Sequence, residues 1–219
     1  MKNAQSCNPW LTLVMLSAPA LAQPTVEAKP GQSPIPAVRL MYYNYARVPI
    51  SVRVEGLQTT TRIFNSAGIQ FTACETQPDW KEPQSGHDLA PVLYLRILPD
   101  SMANRLEPRF EAIGSAYSTD DNSGKIANVF YDRLQGLPTS ASCSRGTILG
   151  HVIAHELGHL LLGRKNHSSS GIMSANWQRD KQIIQLRAGA LLFSSEEAKH
   201  LRKNILERQN SLRMTNTVP

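Results

Sequence analysis

Two histidines and a glutamate stand close together in the stretch AHELGHLLLGRKNHSSSGIMS, which runs from residue 154 to residue 174. In a helix, His155 and His159 lie one turn apart and only about 40° apart around the axis, so both imidazoles could bind one metal ion. Glu156 is rotated by about 100° from His155 and could reach a water molecule on that metal without being a ligand itself. The pattern therefore predicts a zinc site with a general base beside it.

A catalytic zinc site needs a third protein ligand, and the sequence offers several candidates. His167 follows His159 by eight residues and is our first choice. Glu196 and Glu197 lie about 40 residues downstream of the motif, although acidic residues there would also suit the start of a helix. Weaker candidates are Asp180 and His151. The latter is set too far back along the same straight helix, and we expect it to support the site or to be partly exposed.

The apolar residues around the histidines predict a helix from Thr147 to Leu162. On this helix the face opposite the histidines is apolar, and we expect it to lie in the core. That face carries Leu149, Ile153, Leu157 and Leu160. A metal-binding face backed by a core face would give the site a rigid support.

The rest of the chain alternates between short apolar runs and helical patterns. Strands are predicted over 38–48, 69–75, 92–98, 113–119 and 125–134, and helices over 51–68, 147–162 and 194–210. The stretch 100–111 has no clear pattern and could hold a short helix around Met102–Leu106. This order predicts an α+β fold, with one mixed, twisted sheet, an upstream helix, the histidine-bearing helix and C-terminal helices.

The stretches HELGHLLLG and HSSSGIMS together resemble the zincin metallopeptidases, and among them the metzincins. The resemblance covers roughly residues 38–177, and its specific part is 155–174. It implies that Gly163 forms the turn after the helix, that His167 is the third zinc ligand and that Met173 lies in a turn beneath the metal. The spacing departs from HExxHxxGxxH, because Leu162 and Lys165 occupy the usual glycine and histidine places.

The resemblance implies a zinc endopeptidase with a zincin-like or metzincin-like fold. In such an enzyme a zinc-bound water attacks the peptide carbonyl, and Glu156 is the general base. The segment IGSAYST, residues 113–119, would be an edge strand along which an extended peptide pairs. Two alternatives stay open: a gluzincin-type peptidase that uses Glu196 or Glu197 as third ligand, and a non-catalytic exported zinc-binding protein.

The N-terminus is typical of a secretory signal peptide. A positive residue, Lys2, precedes the apolar stretch 10–22, and Ala20-Leu21-Ala22 is a cleavage signal. We therefore expect a leader at 1–22, a proline-rich linker at 23–37 and a peptidase domain at 38–219, in a secreted or periplasmic protein. Removal of the leader would leave Cys74 and Cys143, which could form a disulfide in an oxidising compartment.

The charge of the chain argues against nucleic-acid binding. The formal net charge is +6, and the basic residues are dispersed rather than interleaved with aromatic ones. No segment of the sequence is long and apolar enough for a membrane-spanning helix. We expect a monomer that binds Zn²⁺ and a peptide or protein substrate.

Overall fold

The computed structural model describes residues 34–76, 90–106, 112–117, 119, 123–135, 137, 139, 143–163, 167–175, 177 and 180–216. Its strands are β1 (Ala37–Asn44), β2 (Gln70–Glu75), β3 (Val92–Leu98), β4 (Gly114–Ala116) and β5 (Ile126–Phe130). Its helices are α1 (Ile50–Ser66), α2 (Asp100–Ala103), α3 (Tyr131–Gln135), α4 (Arg145–Leu162), α5 (Asp180–Arg187) and α6 (Ser195–Asn216), with a 3-10 turn at Asn104–Leu106. The predicted leader and most of the predicted linker lie outside the described residues.

The five strands form one mixed sheet in the order β2-β1-β3-β5-β4. The first four strands of this order pair in parallel, and β4 pairs antiparallel with β5. The predicted α+β layout with a mixed sheet is confirmed. The short strand β4 is the last in this order, and it lies next to α4.

The main core lies between the sheet and the helices α1 and α4. Alternate strand residues such as Leu93, Leu95 and Ile97 meet apolar residues of both helices there. The two helices can approach closely because Gly150 has no side chain. A Cβ atom at this position would lie 2.4 Å from the carbonyl oxygen of Gly56. All four residues predicted for the core face of α4, namely Leu149, Ile153, Leu157 and Leu160, are buried.

Helix α4 is buried on the histidine side as well. Every residue from Ile148 to Leu162 is buried, including both histidines of the motif. The predicted core face is thus confirmed, and the histidine face is buried as well. Strand β4 packs against this helix, and His155, Glu156 and His159 are all buried.

Two strands end earlier than predicted, and one helix was not predicted at all. Strand β1 ends at Asn44 instead of 48, because the Asn44 side chain accepts a hydrogen bond from the Val48 amide and turns the chain. The predicted strand 125–134 ends at Phe130 and becomes α3, whose Tyr131 and Leu134 are buried at helical spacing. Helix α5 was not predicted.

Cys74 and Cys143 are free thiols in the structure, so the disulfide considered for this pair is not formed there. Cys74 is exposed on β2, at the edge of the sheet away from α4, whereas Cys143 is buried in the core just before α4. Burial raises the pKa of the Cys143 thiol and keeps it protonated. Within the described part of the chain, no helix has the length and apolar character to cross a membrane.

Candidate metal centre

Both ends of α4 are fixed by local interactions. The Ser144 hydroxyl caps the first turn by accepting a hydrogen bond from the Thr147 amide at 3.0 Å. At the other end Gly163 adopts the left-handed conformation, with φ 62° and ψ 24°, which terminates the helix at Leu162. The turn expected at Gly163 is thus present.

Three histidines come together beside α4. The ligand nitrogens of His155, His159 and His167 all lie within 4.8 Å of one another. The ring centroids are 4.7 Å apart for His155 and His159, and 4.9 Å apart for His159 and His167. His155 and His159 are buried, whereas His167 is exposed. The structure therefore brings together all three histidines that the sequence proposed as ligands.

The geometry of the first two histidines suits a metal ion. His155 donates its Nδ1–H to the carbonyl oxygen of Ile172 at 2.7 Å, which leaves its Nε2 lone pair directed away from the backbone. That Nε2 lies 3.1 Å from Nε2 of His159. Two zinc–nitrogen bonds of ~2.0–2.1 Å at a tetrahedral angle place their nitrogens about 3.3 Å apart. The two imidazoles thus fit Zn²⁺ with little adjustment.

Met173 lies in a tight turn after His167. The turn closes through a hydrogen bond from the Ser174 amide to the Gly171 carbonyl at 3.2 Å, with Gly171 at φ 73°. The Met173 carbonyl accepts a hydrogen bond from the Ser168 amide at 2.8 Å, which joins the turn to the residue after His167. The buried Met173 sulfur packs against α4 at Gly158, where a Cβ atom would lie 2.5 Å from it. The methionine therefore lies under the helix that carries the histidines.

The two alternative ligands of the gluzincin hypothesis have other partners. Glu197 accepts a hydrogen bond from the Ser194 amide at 2.8 Å, while its own amide donates to the Ser194 hydroxyl at 3.2 Å. This reciprocal pair is a capping box at the start of α6. The other oxygen of Glu197 accepts from the Ser168 hydroxyl. Glu196 is on the surface and pairs with His200.

Among the described residues, the histidine cluster includes neither glutamate. The side chain of Asp180 lies outside the described part of the chain. Glu197 nevertheless contributes to the site in a way that the sequence did not predict. Through Ser168 it fixes the segment next to His167.

Glu156 has the burial expected of a residue that acts in a water-poor cavity. Its side chain is 5% exposed, and in the metal-free protein this burial raises its pKa to about 8. A cation nearby would lower that pKa again, because opposite charge favours the ionised carboxylate. The carboxyl group can therefore hold or release a proton near neutral pH.

Trp177 also contributes to the site. Its indole N–H donates to the Ile172 carbonyl oxygen at 3.1 Å, the same atom that accepts from His155. The indole ring also meets the His155 ring, with centroids 5.3 Å apart. Trp177 therefore packs against the ring of His155 and holds the Ile172 carbonyl group, which orients that ring. Nothing in the residue spacing indicates this contact, because it depends on how the loop folds back.

His151 is fully buried, so of the two roles expected for it, support of the site or partial exposure, the structure excludes the second. Its Nδ1 lies 2.8 Å from the Thr147 carbonyl oxygen, while its Nε2 has no hydrogen-bond partner among the described residues. Burial is the main cause that lowers the pKa of His151 to about 4. Burial, followed by the neighbouring His159, likewise lowers the pKa of His155 to about 3.

These two low pKa values predict that acid destabilises the metal-free protein. The unfolded chain binds protons at these histidines near pH 6.5 and the folded chain only near pH 4 or below, so stability rises with pH across that window. His151 contributes up to about 3 kcal/mol to this pH-dependent part of the free energy of unfolding. Replacing His151 by methionine, which is neutral and of similar size, should flatten the curve. Urea unfolding of both proteins from pH 4 to pH 7 measures the difference, and parallel curves would contradict it.

Comparison with known proteins finds similarity in structure only. No family model and no curated protein matches the chain. Among solved structures, the chain is similar to a zinc-dependent peptidase from Methanocorpusculum labreanum (strain Z), with a TM-score of 0.50 and 15% sequence identity. The match covers 74% of this chain and 99% of the other. At this identity the similarity indicates a shared fold.

Proposed function

We propose that this chain is a zinc-dependent endopeptidase of metzincin-like type. The observation that carries the proposal is the group of three histidines with ligand nitrogens within 4.8 Å, together with the buried carboxyl group of Glu156 next to His155. Metal binding alone does not need that glutamate. The fold shared with a zinc-dependent peptidase supports the same conclusion.

Each residue of the site has a role in this proposal. His155, His159 and His167 would hold Zn²⁺. Bound there, the ion would supply an acidified water and polarise a carbonyl group. Glu156 would accept the proton of the attacking water and return it to the leaving amine. The burial of α4 would exclude bulk water from this proton transfer.

Strand β4 is where we propose that the substrate binds. It is the last strand of the sheet and lies against α4 beside the site. An extended peptide could pair with its outer edge by main-chain hydrogen bonds, which would carry the scissile bond past the metal. Recognition through the main chain requires an extended segment and suits cleavage within a chain.

We also propose that the protein is exported after removal of residues 1–22. The support is the sequence pattern of the leader. Mass spectrometry of the protein recovered outside the cytoplasm would test this, with a mature N-terminus at Gln23 as the expected result. A protein retained in the cytoplasm with Met1 in place would contradict it.

A fluorogenic peptide library tests the peptidase activity. The zinc-loaded protein should cleave internal peptide bonds, lose activity with a chelator and regain it when Zn²⁺ is added back. The alternative is a zinc-binding protein without catalysis. It predicts one tightly bound zinc ion and no cleavage of any library member.

A further inference from the structure

Gly114 in β4 makes room for the side chain of Glu156. A Cβ atom built at Gly114 would lie 2.5 Å from Oε1 of Glu156 and 2.8 Å from its Cδ and Cγ atoms. Real side chains do not approach this closely, so one of the two groups would have to move. The carboxyl group of Glu156 therefore occupies the space that a side chain at position 114 would need.

The backbone conformation of Gly114 does not explain the glycine. Gly68, Gly163, Gly171 and Gly189 have positive φ angles that favour glycine, but Gly114 does not. It lies in a regular strand and pairs with Val129. Any residue could adopt this backbone, so at Gly114 glycine is required for space.

Strand β4 is fixed at this distance from α4. The Phe130 amide donates to the Ile113 carbonyl at 3.0 Å, just before the strand. On the face of the sheet away from α4, the Ser115 hydroxyl accepts from the Asn128 amide group at 3.0 Å. Asn128 in turn accepts from Arg96 at 2.7 Å, and its side chain is fully buried. These bonds tie β4 to β5 and β3, so they oppose a retreat of β4 from an added methyl group.

We propose that Gly114 is a positioning residue for Glu156, because it sets where the carboxyl group lies relative to the metal-binding histidines. The inference rests on the proposed peptidase function. An added methyl group at this position would push Glu156 into another rotamer, since a side chain rotates more easily than a strand held by these hydrogen bonds moves. The proton acceptor would then be displaced while the three histidines stay in place.

Stability measurements test the contact without any reference to activity. In the metal-free protein, Gly114→Ala should lower Tm by about 2–4 °C, as overpacking does in a domain of this size. In the Glu156→Ala background the same substitution should leave Tm unchanged, because the obstructing atoms are gone. Equal Tm changes in both backgrounds would overturn the proposal.

Kinetic measurements test the consequence for catalysis. For the zinc-loaded Gly114→Ala variant we expect kcat for peptide cleavage to fall about 10–100-fold, with KM changed less than about threefold and full zinc content. Unchanged kcat, or a loss explained by missing zinc, overturns the inference while the proposed function stands. Failure of the wild-type protein to cleave any peptide overturns both.

Gly146→Ala is a matched control. Gly146 is on the same helix as Glu156, and a Cβ atom there would clash with the carboxylate of Glu55. Glu55 hydrogen-bonds Ser144 and Thr147 at the far end of α4. This control should lower Tm as Gly114→Ala does and leave kcat unchanged. An equal fall of kcat in the control would show that any crowding of a glutamate against α4 impairs the enzyme, and it would overturn the specific role of Gly114.

Discussion

Replacing Glu156 by glutamine should lower kcat for peptide cleavage by roughly 10²–10⁴-fold and leave zinc binding intact. Glutamine has the same shape but cannot accept a proton from water. Because burial favours the neutral form of this carboxyl group in the metal-free protein, a neutral amide should be tolerated in its place. The variant should therefore fold and should bind one zinc ion per chain.

The measurement combines zinc stoichiometry with steady-state kinetics on the best peptide of the library. Glu196→Gln is the control, since Glu196 is a surface residue of α6 that pairs with His200. It should retain wild-type kcat and zinc content. Peptide cleavage at the wild-type rate by zinc-loaded Glu156→Gln would rule out Glu156 as the general base.

Replacing His167 by alanine should weaken zinc binding more than 100-fold. Mutation of groups that merely support zinc ligands costs ~10–100-fold in affinity, and loss of a direct ligand should cost more. Activity should be lost at zinc concentrations that saturate the wild-type protein. Competition with a chromophoric chelator measures the affinity directly.

Glu197→Gln distinguishes this ligand set from the gluzincin alternative. Glutamine at this position can still accept from the Ser194 amide and so preserve the capping box, and its NH2 group can donate to the Ser168 hydroxyl, but it is a poor zinc ligand. Zinc affinity should therefore stay near the wild-type value. If Glu197→Gln lost zinc and His167→Ala kept it, the third ligand would be the glutamate.

The parts of the structure that local patterns predict are those in which residues close in sequence act together. The spacing of His155, Glu156 and His159 predicted a helix that carries both imidazoles to one place, and the structure puts their Nε2 atoms 3.1 Å apart. Helix α4 was predicted within two residues at its start, and it ends at Leu162 as predicted. Apolar periodicity and a glycine stop contain enough information for this.

Contacts between distant segments could not be read from the sequence. Glu156 meets Gly114 across 42 residues, and Ser168 meets Glu197 across 29. The separation of Cys74 from Cys143 could not be read from the sequence either, because it depends on the order of the strands in the sheet. For His167 the spacing left the outcome open, since a longer return loop can lead in several directions.

The attachment of Ser168 to Glu197 has a consequence for how the protein matures. The segment beside His167 is held by α6, and the amide of Ile172 also donates to the Leu192 carbonyl at 3.0 Å. Both anchors are made later during synthesis than the histidines that they support. A chain whose synthesis has not yet reached α6 would therefore carry all three histidines without the framework that holds them together. We expect such a chain to hold the three imidazoles less firmly, and so to bind a metal ion more weakly, than the complete fold does.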